Sequence, residues 1–340
     1  MTPFHTPLCD LFGVEYPIVQ AGMGPGDTTR LAIAVSNAGG LGLISGNVPL
    51  GVRQGRSQHE MASECIREAM EHTERDKPFG VNIPVNSVRF PEVLRAVRDA
   101  RKDPAVARKL RIIFLSAGDS TPHIRELKEE GLVCTGVVPT VYHAQKVAQA
   151  GIDAIVASGY EAGGHVNPDA VHTFVLVAAT ADVVQVPVIA AGGVADGKSL
   201  VAAFALGAQG VQMGTHFICT QEAGFHPNYK EAILRATTRD TIVVQGTLGP
   251  QRGLKNSYSL ALRQMMDAGK TQQEIAEYKE EHEVQRSILD GDVDDAPVPA
   301  GQEAGRIHDV PTVRELIQRI MAEAEEALGR VNQLAAMRVH

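Results

Sequence analysis

The chain has 340 residues, 44% of them hydrophobic, with 33 glycines and only 4% aromatic side chains; this suits one large barrel or two modest domains of α/β type. A formal net charge of -8 argues against a general nucleic-acid binder, which presents a basic surface. Cys9, Cys65, Cys134 and Cys219 lie far apart with no CxxC pair, which removes zinc-ligand spacing and a disulfide framework and suits buried thiols in a reducing cytoplasm.

Residues 1–7 lack a basic region followed by an apolar run, so no signal peptide is expected. From there short apolar runs alternate with helical patterns. The predicted strands cover residues 17–21, 41–45, 79–83, 112–116, 135–139, 154–157, 186–190 and 210–213. The predicted helices cover 28–37, 59–73, 91–109, 122–130, 144–150, 171–181 and 198–206. Gly39, Gly131, Gly151 and Gly207 stand at helix-to-strand junctions, where helix C-caps use glycine. A repeated strand–helix unit with eight strands predicts a parallel (β/α)8 TIM barrel rather than an open sheet. Residues 174–195 are apolar, but Asp182, Gln185, Pro187 and Gly192-Gly193 interrupt them, so no membrane span is expected.

After residue 213 the pattern changes. Residues 218–309 read as a smaller, mainly helical inserted domain, with a charged helix over 272–289 and an acidic loop over 290–295. That loop lacks EF-hand spacing and reads as solvated, so no metal is expected. Over residues 312–334, Val313, Leu316, Ile317, Ile320, Met321 and Ala324 fall at helical spacing. This helix is expected to return as the eighth of the barrel. The domains are therefore 1–217 plus 310–340, the barrel, and 218–309, a substrate or lid domain.

Ligands of such barrels sit at the C-terminal ends of the strands. Those ends carry Gly22-Met23, Asn82, Ser158, Gly192-Gly193 and Gly214-Thr215. Glycines and a hydroxyl after strands seven and eight suit a phosphate held by main chain, Thr215 and a helix N-terminus near residues 196–199. Ser158 leads through Gly159-Tyr160-Glu161-Ala162-Gly163-Gly164 to His165. Glycine permits close approach of backbone to ligand, and histidine moves a proton near neutral pH. His216 and His226 read as packing or loop residues, and Glu161 as either a ligand contact or a turn stabiliser. From residue 230 to 263, Lys230, Arg235, Arg239, Arg252, Lys255 and Arg263 outnumber Glu231 and Asp240, a patch suited either to a phosphopantetheine carrier or nucleotide, or to plain solvent.

Several stretches carry a resemblance. They are Pro17-Ile18-Val19-Gln20-Ala21-Gly22-Met23, Asn37-Ala38-Gly39-Gly40-Leu41-Gly42, Pro78-Phe79-Gly80-Val81-Asn82 and Glu161-Ala162-Gly163-Gly164-His165. Further on come Pro187-Val188-Ile189-Ala190-Ala191-Gly192-Gly193-Val194-Ala195-Asp196-Gly197, Met213-Gly214-Thr215, His226-Pro227-Asn228-Tyr229-Lys230 and Ala300-Gly301-Gln302-Glu303-Ala304-Gly305. In this order they make the chain resemble the flavin-dependent barrel family of nitronate monooxygenases and flavin-type enoyl-acyl-carrier-protein reductases.

The resemblance implies FMN, with its phosphate at Gly192, Gly193, Gly214 and Thr215. It implies a flavin ring near Gly22, Met23 and Asn82 with Ser158 close by, His165 as the catalytic histidine, and Gln302 in a segment that approaches the flavin. Three positions depart from the family's patterns. Asn167 stands where nitronate monooxygenases often carry Gly, Lys255 and Ser257 interrupt their Gly-Leu-Pro-Asn-Arg pattern, and His216 stands where the reductase branch usually has Arg. The implied activity is oxidation of an alkyl nitronate with O2. The alternative takes NADH or NADPH as co-substrate and reduces a quinone or an enoyl thioester of acyl carrier protein or CoA. A flavin-free lyase or binding protein is disfavoured, since no lysine is poised for a Schiff base. Oligomeric state is left open.

Overall fold

A computed structural model describes residues 4–46, 55–246 and 249–337; residues 1–3 of the stretch read for a signal peptide lie outside the described residues. In chain order the strands are β1 (Ile18–Gln20), β2 (Gly42–Ser45), β3 (Phe79–Pro84), β4 (Leu110–Ser116), β5 (Val133–Val138), β6 (Ala154–Ser158), β7 (Gly164–His165), β8 (Val188–Ala191), β9 (Gly210–Met213), β10 (Thr241–Gly246) and β11 (Gly249–Leu254). Eight of them pair in parallel in the order β1-β9-β8-β6-β5-β4-β3-β2. Leu41, just before β2, closes the ring: it bridges Val19, and its carbonyl accepts from Gln20 N–H at 2.9 Å. The buried Gln20 side chain accepts from Leu43 N–H at 2.9 Å, so the polar group at this seam is satisfied rather than stranded. The expected (β/α)8 barrel is the fold.

Its strands are buried on both faces, which is why they read as unbroken apolar runs. Val19, Leu43, Phe114, Val156 and Ile189 pack inside the barrel. Alternate residues, including Ile18, Ile44, Ile113, Ile155 and Val188, meet the surrounding helices. A short helix that sequence reading missed, Pro7–Phe12, plugs the N-terminal mouth. Leu8 and Phe12 are fully buried in the interior cluster, and the Phe12 ring lies 6.0 Å from that of Phe114.

The helix expected over 91–109 divides into Phe90–Ala100 and Pro104–Lys109. Asp103 caps the second through Ala105 N–H at 2.8 Å, and Pro104 has no N–H with which to continue the first. The long helix Val313–Ala336 packs on Gly197–Ala205 and Thr29–Asn37, the position of an eighth barrel helix. The approach is tight: a Cβ on Gly197 would stand 2.2 Å from Ala324 N.

Residues 218–309 hold the helices Pro227–Arg235, Ser257–Asp267 and Gln272–Glu281. A π-helical turn, Arg286–Asp290, takes the end of the stretch read as one helix over 272–289. The region also contains a hairpin that sequence reading missed. β10 and β11 pair antiparallel, and β11 pairs in turn with β7 through Gln251↔His165 and Arg252↔Gly164. The β-branched run Ile242-Val243-Val244 before Gly246 carried the signal. All four cysteines are free and buried. Among the described residues no helix is long and apolar enough to cross a membrane, and no metal-ligating cluster occurs.

Candidate active site

The ends of β8 and β9 bring the expected phosphate residues together. Gly192 and Gly193 follow β8 with φ of 91° and 77°, a region glycine enters without strain. A Cβ on Gly192 would stand 2.9 Å from the Gly159 carbonyl oxygen, so this loop lies directly against the one leaving β6. Thr173 Oγ1 fastens the two, 2.8 Å from Gly192 O and 2.9 Å from Glu161 Oε2. Glu161 Oε2 also accepts from Thr173 N–H at 2.9 Å. Of its two sequence readings, Glu161 therefore takes the structural one, capping the helix Thr173–Ala181.

β9 runs into Gly214 and Thr215. A Cβ on Gly214 would be in van der Waals contact with Ala21 Cβ at 3.7 Å and Met23 Sδ at 3.8 Å, so the end of β1 flanks the end of β9. Thr215 is buried, and its Oγ1 accepts from Gly301 N–H at 3.0 Å. That leaves the single hydroxyl proton for another acceptor. Across the mouth, a Cβ on Gly22 would fall 2.4 Å from Asn82 Cγ, so any side chain at Gly22 would displace the buried Asn82. Ser158 ends β6 half-buried, in register with Ala191.

His165 is held differently. It belongs to the insert's sheet through its pairing with Gln251, and the neighbouring Val166 N–H donates to Pro250 O at 2.9 Å. The loop before it packs on the segment that carries Gln302: a Cβ on Gly163 would stand 2.6 Å from Gly301 N. Gln302 N–H donates to Glu161 O at 3.0 Å. The His165 ring keeps solvent access, yet the protein around it pushes its pKa below the ordinary histidine value, chiefly by desolvation and then by the Lys279 ammonium. Its neutral form therefore dominates at neutral pH.

Three residues of the region were given no role at the site by sequence, although Arg252 was read in the basic patch and Glu303 stands in one of the resembling stretches. Arg252 is buried; Nε and Nη2 donate to Tyr160 O at 3.1 and 3.0 Å, and Nη1 to Thr241 Oγ1 at 2.9 Å. Its guanidinium carbon lies 5.1 Å from the Tyr160 ring centroid, a cation–π distance. Arg252 thus pins the hairpin to the loop that presents His165. Lys279 comes from the helix Gln272–Glu281, and no local pattern distinguishes it. Glu303 is buried beside Thr215 and Gly193; an acidic residue inside an apolar, glycine-rich segment was its only signal.

Other expectations resolve as structural roles. The N-terminus of Gly197–Ala205 is not free for a phosphate: Asp196 accepts from Ser199 N–H at 2.9 Å and Glu323 from Gly197 N–H at 3.0 Å. The basic run is largely spent on main chain, with Lys230 Nζ on Thr220 O and Ala223 O at 2.6 and 2.8 Å, and Arg263 and Lys255 on carbonyls of Val243 and Arg239. His216 is buried with Nδ1 on Ala195 O at 2.7 Å, and His226 caps Asn228 N–H at 3.1 Å. The acidic loop pairs Asp292 with Arg286 at 2.5 Å.

The ends of β8 and β9 offer main-chain amides of the half-buried Gly192, Gly193 and Gly214 and the neutral Thr215 hydroxyl. This donor set suits a phosphate monoester such as that of FMN.

The family model described as nitronate monooxygenase matches residues 5–323. A (3aS,4S,5R,7aS)-5-hydroxy-7a-methyl-1-oxo-octahydro-1H-indene-4-carboxyl-CoA dehydrogenase of Rhodococcus jostii is 30% identical, over 99% of this chain and 100% of its own length. A probable nitronate monooxygenase of Staphylococcus saprophyticus is 32% identical, over 74% of this chain and 79% of its own. Among solved structures, FabK from Thermotoga maritima superposes with a TM-score of 0.86 at 36% identity, covering 97% of this chain and 99% of that one.

Proposed function

The chain belongs to the nitronate monooxygenase family and is an oxidoreductase, and from that premise we propose that it oxidises alkyl nitronates with O2 using FMN. Gly192, Gly193, Gly214 and Thr215 would hold the phosphate, Gly22, Met23, Asn82 and Ser158 would line the ring, and Gln302 would approach it from the insert. Bound FMN supplies the electron transfer, while the protein supplies placement, polarity and proton control. The observation that carries the nitronate reading is the placement of His165, held at the barrel mouth by its pairing with Gln251 of the insert, where desolvation and then Lys279 lower its pKa. A neutral imidazole nitrogen can take the proton from the carbon that bears a nitro group, and a nearby cation favours the anion that results. With a nitronate, which lacks that proton, His165 would donate N–H to a nitro oxygen instead.

The insert, residues 218–309, would act as the lid that selects substrate, because it carries both the hairpin behind His165 and the segment through Gln302. Four buried free thiols suit a reducing cytoplasm. A second reading has its own support in the full-length similarity to a CoA-thioester dehydrogenase. There NADH or NADPH would be the co-substrate, and an enoyl thioester of CoA or acyl carrier protein the acceptor.

Anaerobic mixing of FMN-loaded protein with propane-2-nitronate, and separately with NADH and NADPH, distinguishes them. Flavin bleaching by the nitronate alone is the expected result. Fast bleaching by a nicotinamide with none by the nitronate would replace the first reading with the second.

A further inference from the structure

The turn Gln302–Arg306 places one carboxylate inside the cradle described above. Glu303 is only 6% exposed. The Thr215 hydroxyl and the Gly193 amide stand near enough to its carboxyl to pull its pKa down against the effect of burial. It lies so close over Gly301 that a Cβ there would meet Glu303 Oε2 at 2.1 Å. Oε2 itself is buried with no hydrogen-bond partner, a costly state for a carboxylate oxygen.

We propose that Glu303 is a competing internal ligand of the phosphate cradle and sets how strongly this protein discriminates FMN from unphosphorylated flavin. This rests on the FMN reading of the site. Thr215 has one hydroxyl proton, since its oxygen already accepts from Gly301 N–H, and Gly193 has one N–H. Each can serve the carboxyl or a phosphate oxygen, and a phosphate and a Glu303 carboxylate sharing these donors would repel. The guanidinium of Arg252 is the nearby cation that offsets the charge of Glu303, but it is already committed to Tyr160 O and Thr241 Oγ1. Entry of a phosphate therefore displaces the carboxyl. Because Gly301 N–H is bonded to Thr215 and Gln302 N–H to Glu161 O, that displacement acts on the same short segment that carries Gln302. Cofactor loading and the position of Gln302 are coupled in this way. Burial holds the Glu303 pKa above the ordinary carboxylate value, with the Thr215 hydroxyl, the Gly193 amide and Arg252 pulling it down.

The test compares Kd for FMN and for riboflavin, read from flavin fluorescence, in apoprotein of the wild type, Glu303→Gln and Glu303→Ser. Riboflavin lacks the phosphate and controls for the ring site and for folding. The proposal expects the FMN-to-riboflavin preference to rise roughly tenfold or more in Glu303→Gln, about the share of one charge-assisted hydrogen bond, with riboflavin affinity unchanged. Glu303→Ser should move in the same direction. An unchanged or reduced preference in the variants that still bind riboflavin overturns it, since the carboxyl would then be a bystander or a partner of the phosphate. Failure of the wild type to bind either flavin would instead overturn the FMN reading itself.

Discussion

At the scale of single residues, the site depends on a few protons. Thr215→Ala removes the hydroxyl after β9 and with it the acceptor of Gly301 N–H. FMN affinity should fall by about 1.5–3 kcal/mol if that bond is charge-assisted, with riboflavin affinity nearly unchanged. Equal losses for both flavins in a titration would move the phosphate elsewhere. His165→Ala should lower turnover of a neutral nitroalkane by about 10²–10⁴-fold while leaving bound FMN intact, and should affect a preformed nitronate less. The pKa of His165 is depressed, so its proton-accepting form persists to lower pH than in an ordinary histidine. The acid limb of kcat/KM for the neutral substrate should accordingly lie below the ordinary histidine range. Lys279→Met removes the cation that disfavours imidazolium, so the limb should move up, but only in part because desolvation by the surrounding protein is the larger cause. A limb that stays in place in this variant would separate Lys279 from the reacting centre.

At the scale of elements, the hairpin β10–β11 explains how a loop histidine is fixed. The sequence showed His165 after Gly163-Gly164 at the end of a barrel strand, and only the pairing with Gln251 shows what positions it. Arg252 is the fastener, bonded to Tyr160 O from one strand residue away. Arg252→Met keeps the bulk but strands that carbonyl, at a cost of about 1–3 kcal/mol. Amide exchange should accelerate in residues 160–166 and in β10–β11 before it does in the barrel strands; uniform loosening would argue that Arg252 supports the whole fold. Gly42 sets a second contact, where the helix Thr29–Asn37 lies on β2. A Cβ there would sit 1.9 Å from the Ala32 carbonyl oxygen, main chain that cannot rotate away. Gly42→Ala should thus lower the thermal midpoint, with an overpacking cost of about 1–3 kcal/mol, whereas an unchanged midpoint would show that the helix can slide.

For the whole molecule, the barrel separates stability from chemistry. The plug Pro7–Phe12 closes the N-terminal mouth, while the cradle and His165 belong to the other. Phe12→Ala should cost about 3–5 kcal/mol in denaturant unfolding and leave the Kd for FMN unaltered; a parallel loss of flavin affinity would mean that the two ends communicate. The sequence by itself determined the eight strands, their order of appearance, the closing helix Val313–Ala336 and the glycines after β8 and β9. Each of these follows from local chemistry: runs buried on both faces must be apolar, an amphipathic stripe must face a core, and a left-handed turn favours glycine. The tertiary structure alone decided which of the basic residues are free, that the N-terminus of Gly197–Ala205 is already capped, and that Glu303 lies on the cradle. Those facts depend on partners distant along the chain. Glu323 meets Gly197 N–H through helix packing, Arg252 meets Tyr160 across the insert, and Glu303 comes near Thr215 because the chain returns over the barrel mouth. No periodicity records such meetings, since they are fixed by packing in three dimensions rather than by spacing along the chain.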